Sequence, residues 1–144
     1  MPKIGERMLQ TIIEAIVTRL TGIEDVVGLP DVWAGDIEQV VSQPKRLPAL
    51  WVVYQGADFA PRQTIGGTYY THTLHFTVVL AATNARSRAD GAATCHEIIE
   101  AVRGLLIGYK VSDYGELWPE KEELIDAAGA LLVYGLAYRM EVSI

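Results

Sequence analysis

Residues 68–82 read TYYTHTLHFTVVLAA. Counted in twos, they place Tyr70, His72, Leu74, Phe76, Val78 and Leu80 on one side of an extended chain, and Tyr69, Thr71, Thr73, His75, Thr77 and Val79 on the other. A strand sends successive side chains to opposite faces, so the first set is the core face. The end of the chain alternates in the same way. Leu132, Tyr134, Leu136, Tyr138, Met140 and Val142 share one face, and Ala137, Arg139 and Glu141 share the other. One-sided patterning of this kind belongs to antiparallel strands. A further strand, LWVVYQ at residues 50–55, is β-branched and aromatic and bounded by Pro48 and Gly56. Residues 115–128, GELWPEKEELIDAA, fit either a short strand around Leu124 and Ile125 or a helical turn after Pro119, and the strand is favoured.

Outward from these strands the period changes. Ile4, Met8, Ile12, Ile13, Ile16, Val17 and Leu20 recur at three- and four-residue spacing, which predicts an amphipathic helix over about residues 3–20, closed by Gly22. Ala92, Cys95, Ile98, Ile99, Val102, Leu105 and Leu106 form a second helical stripe, with Asp90 as its expected cap and Gly108 as its end. Asp36 and Gln39 resemble a capping box, so a short helical turn is expected over 36–41, ended by Pro44 and Pro48. These stripes are all buried at once by one α+β domain spanning 1–144: a mostly antiparallel sheet with two main helices on one face. Its core should contain Ile12, Ile16, Leu74, Phe76, Ile98, Val102, Leu136 and Tyr138. Between the strands at 50–55 and 68–82 lies GADFAPRQTIGG, too long for a tight turn, and a projecting β-hairpin arm is expected there.

The composition is half apolar, and 12 basic against 18 acidic side chains give a net charge of −6. Residues 113–144 carry Asp113, Glu116, Glu120, Glu122, Glu123, Asp126 and Glu141 against Lys121 and Arg139. Phosphate-backbone affinity needs clustered Lys and Arg, so no direct nucleic-acid binding is expected. Cys95 is the one cysteine, which excludes an internal disulfide and suits a reducing compartment. No apolar run reaches bilayer length, and no membrane association is expected.

No constellation here has the form of a catalytic or metal site. His72 and His75 are offset by an odd number on a strand and diverge, and His96 lies on another element, so no metal or other cofactor is expected. Cys95 sits on an apolar stripe and reads as a core residue, not a nucleophile. Ser42, Ser87, Ser112 and Ser143 stand in no nucleophile motif, and Gly66 and Gly67 lack the strand-to-helix context of a phosphate loop. Glu116, Glu120, Glu122, Glu123 and Asp126 read as solvated carboxylates, whereas general acid–base work needs one that is desolvated. Tyr69, Tyr70, Tyr134 and Tyr138 are candidates for aromatic contact with another protein.

Beyond these residue-level signals, LPALWVVYQGAD, THTLHFTVVLAATNARS, ADGAATCHEIIEAVRGLLIG and VYGLAYRMEV, in this order, resemble the Mu-like phage tail terminator family of contractile-tailed phages and prophages. The resemblance implies a non-enzymatic subunit of a homo-oligomeric ring, typically a hexamer. Such a ring sits on the head-proximal end of the tail tube, stops tube growth and serves head–tail joining. Its implied partners are further copies of itself, the tail tube protein and a head-completion or neck protein. Its implied location is the host cytoplasm during assembly and then the virion tail. The expected assembly surface is the arm, with Phe59, Arg62, Gln63, Thr64, Ile65 and Tyr69 as its contact residues. Alternatives are another head–tail joining or tail-completion protein of similar topology, or a small-ligand-binding domain or enzyme.

Overall fold

Ile12, Ile16 and Leu20 lie one helical turn apart, and all three are buried along helix α1, Met8–Leu20. In the computed structural model, which describes residues 7–23, 26, 31–32, 47–60, 71–83, 88–128 and 131–143, the helix starts later than its stripe suggests. Arg7 has φ 53°, a left-handed conformation that breaks the helix before Met8. Gly22 and Gly108 have φ of 111° and 77° and follow the two helices as expected. Helix α2, Arg88–Leu106, buries Cys95, Ile98, Val102 and Leu106. It starts two residues before Asp90, which therefore lies within the helix and not at its start. The turn expected over 36–41 falls outside the described residues.

Six strands form the sheet: β1 (Asp31–Val32), β2 (Ala49–Phe59), β3 (Thr71–Thr83), β4 (Lys110–Val111), β5 (Gly115–Ala128) and β6 (Leu131–Ser143). Their order is β1-β2-β3-β6-β5-β4, and only the two-residue β1–β2 pairing is parallel. The strand alternative for 115–128 holds, and the strand is long, with irregularities between Pro119 and Lys121 and between Leu124 and Asp126. Strand β2 also runs past its expected end at Gln55. Gly56, at φ 129°, makes a bulge that shifts the register, and the ladder resumes through Phe59 opposite His72. The first residues assigned to the arm are therefore sheet.

Both helices pack on one face of the sheet, over a core that contains all eight residues expected there. His72, Leu74, Phe76, Val78 and Leu80 are buried on that face of β3. Tyr138 is 1% exposed, so it belongs to the core and is no surface aromatic, while Tyr134 is half-buried. The other face is divided along the strands. Ala49, Trp51, Val79, Ala81 and Val133 form a small buried apolar cluster at one end. Asp58, His75 and Arg139 stand towards the end of the strands that carries Phe59 and Thr71.

Candidate assembly surface

Phe59 is the last residue of β2 and the only expected contact residue within the described part of the chain. Arg62, Gln63, Thr64, Ile65 and Tyr69 lie outside it, as does Tyr70. Register places Phe59 beside His72, and the rings stack at 5.1 Å with 23° between their planes. The ladder closes above them, where the Ala60 N–H donates to the Thr71 carbonyl at 2.9 Å. Burial lowers the His72 pKa, which keeps the ring neutral and suited to an aromatic neighbour. Phe59 is 64% exposed, so the root of the arm displays a large apolar surface.

On the face away from the helices, His75 is held between two carboxylates. Nδ1 lies 2.7 Å from Glu120 Oε1 on β5, and Nε2 lies 2.7 Å from Asp58 Oδ2 on β2. A carboxylate on each ring nitrogen favours the imidazolium, the form in which both nitrogens can donate. Its pKa is raised, chiefly by the Glu120 hydrogen bond and then by that to Asp58, against a lowering by burial. The trio ties β2, β3 and β5 together. Alternation along β3 predicts that His75 leaves the core, but its partners depend on the Gly56 bulge and the irregularity that flanks Glu120.

The carboxylates of β5 are thus less uniformly solvated than their sequence suggests. Glu120 holds His75, and Glu122 accepts both Nε (2.8 Å) and Nη2 of Arg103, joining β5 to α2. Glu123 pairs with Lys121 at 3.0 Å on the surface. His72 and His75 face opposite sides of β3, as their offset requires, and Cys95 is fully buried with its thiol pKa raised by desolvation. Among the described residues, no group of three or more His, Cys, Asp or Glu is placed to hold a metal ion.

The remaining feature is the outer edge of β5. Strand β4 pairs only with Gly115 and Glu116, and the Leu117 N–H and C=O bond to Tyr109 and Gly108 at 2.9 Å. Past Leu117, no described strand lies on that side. Trp118, Leu124 and Ile125 are 49%, 49% and 45% exposed there. A groove separates this edge from α2, with Ile99, Leu124 and Tyr134 among its lining. The sequence flagged Leu124 and Ile125 as strand residues, but their exposure follows from β5 standing at the sheet margin.

Residues 8–144 match the family described as "Phage tail terminator protein". Among solved structures, the chain is similar to a protein of the "Virion of native gene transfer agent (GTA) particle". The TM-score is 0.54 at 18% identity, covering 94% of this chain and 91% of that one, which shows a shared fold. No curated protein matches.

Proposed function

Because the chain belongs to the phage tail terminator protein family and is a structural component of a phage tail, we propose that it closes the head-proximal end of the tail tube. In this reading the chain folds as one domain and assembles as a homo-oligomeric ring of six on the last tube ring. The ring ends tube growth and offers the surface to which a head-completion or neck protein binds. The observation that carries the proposal is the span of the family match, which takes in both helices and the whole sheet. The surface is consistent with it: an exposed aromatic at the end of β2, a sheet edge with no described neighbour past Leu117, and a histidine whose nitrogens are both engaged. A closed ring needs head-to-tail contacts between two different surfaces of the subunit, and the arm and the sheet edge are two such surfaces. The negative balance of residues 113–144 suits the wall of a DNA passage, since it repels the phosphate backbone. Assembly takes place in the host cytoplasm, before the head is joined.

The test is electron microscopy of purified chain mixed with tube protein. Rings at one end of tubes of limited length are expected. Unlimited tube growth with no end-bound density would refute the terminator role, and binding to a portal complex instead of tube ends would favour a head–tail joining factor.

A further inference from the structure

We propose that the outer edge of β5, with the groove between that edge and α2, receives the arm of an adjacent copy of this chain as an added strand. The proposal rests on the ring reading above and names the surface that makes the ring contact.

Past Leu117, β5 presents a row of backbone N–H and C=O groups to no described strand. An added strand meets such groups with main-chain hydrogen bonds and sends its side chains alternately to the two faces. Both faces offer apolar contact here. On the helix side, Ile99, Leu124 and Tyr134 line the groove. On the other side, Ile125 lies over Gly135, where a Cβ would come within 2.6 Å of its Cδ1, and about half of Ile125 remains exposed. The irregularities at Pro119–Lys121 and Leu124–Asp126 twist this edge out of the flat form that pairs with any strand, so a partner must match its shape.

Charge and reach identify the occupant. The groove is lined by Glu100, Glu122 and Glu123 against Arg103, with Glu122 engaged by Arg103 and Glu123 by Lys121, so its balance is acidic, whereas residues 61–70, PRQTIGGTYY, hold Arg62 and no carboxylate, with β-branched and aromatic side chains. A chain's own arm cannot reach its own groove. The described strands break off at Ala60 and resume at Thr71, while Leu124 pairs with Tyr134, which in turn pairs with Leu80. At about 3.3 Å per residue, that is roughly 30 Å along the strands. Ten residues fixed at both ends extend outward by at most about 18 Å. The arm that fills the groove therefore comes from another copy, and repetition of the contact runs head to tail.

The test uses two full-length variants, Leu124→Cys and Ile65→Cys, with the buried native Cys95 left in place. After mixing in the presence of tube protein and mild oxidation, the pair is expected to give a disulfide-linked dimer that neither variant gives alone. A chain carrying both cysteines is expected to give a ladder of linked subunits. Leu124→Lys, at an exposed position, should leave the melting temperature within about 2 °C and abolish ring assembly. Capped tubes without a mixed disulfide, or normal capping by Leu124→Lys, would overturn the proposed contact and leave the terminator role standing. A disulfide in Leu124→Cys alone would show edge-to-edge pairing and overturn it equally. If neither rings nor capped tubes form with the unaltered chain, the terminator role falls and the contact falls with it.

Discussion

His75 is the residue whose behaviour depends most on its surroundings. Its folded pKa lies above the ordinary histidine value of 6.5, mainly through Glu120 and Asp58, so protonation is linked to folding. The sign follows from that direction. A raised pKa contributes stability that is fully present below the unfolded value and is lost as the pH rises through the folded value. The melting temperature should therefore fall as the pH rises above about 6.5, and His75→Gln should flatten that part of the profile. An unchanged slope in the variant would mean that the trio does not bind its proton as the geometry requires. Two glycines give a second comparison at this scale. A Cβ on Gly115 would stand 2.6 Å from the Glu141 carbonyl oxygen, which is backbone and cannot yield cheaply. Gly115→Ala should cost about 1–3 kcal/mol in chemical denaturation. A Cβ on Gly135 meets side chains alone, chiefly the half-exposed Ile125 at 2.6 Å and then Thr77 at 3.6 Å, so Gly135→Ala should cost less than Gly115→Ala. The reverse order would contradict the close approach of β5 and β6 at Gly115.

Among the elements, β3 and β6 form the centre. They pair from Thr71↔Ser143 to Thr83↔Leu131 without interruption, and Leu74, Phe76, Val78 and Leu80 of β3 are buried in the core on the face that carries the helices. Phe76 is 1% exposed beside Tyr54, at 5.6 Å between ring centroids. Phe76→Ala should cost about 3–5 kcal/mol, measured by equilibrium unfolding, and a loss below about 1 kcal/mol would be incompatible with this packing. These strands and the two helices were legible in the sequence because each has an apolar period of two or three to four over many residues. The two-residue strands β1 and β4 were not, since two residues carry no period. The continuation of β2 was hidden by Gly56, which reads as a terminator and is instead a bulge. At the surface, sequence alternation indicated that His75 leaves the core. The meeting of Asp58, His75 and Glu120 depends on two register shifts, and register is a property of paired strands that no single stretch encodes.

For the whole molecule, deletion of residues 62–67 tests whether the proposed ring is held by contacts between neighbours or only by stacking on the tube. Residues 62–67 lie in sequence between the strand ends at Phe59 and Thr71. The eight core residues are drawn from α1, α2, β3 and β6, none of which includes this stretch. Removing residues 62–67 should therefore leave the fold intact, because surface connections tolerate deletion when they contribute little buried contact. Far-ultraviolet circular dichroism and the melting temperature are expected to match the parent. Assembly is another matter. Each subunit of a closed ring lends one surface to its neighbour and receives another, so loss of the lent surface weakens every contact in the ring at once. The deletion should reduce ring formation and leave tubes that grow past their normal length. The modest size of the segment also explains why a dilute sample of the intact chain is expected to remain monomeric and to close only on the tube, where neighbours are held at high local concentration. If the deleted chain still capped tubes of normal length and joined heads, the arm would carry no part of the assembly, and the exposed Phe59 at its root would need another partner.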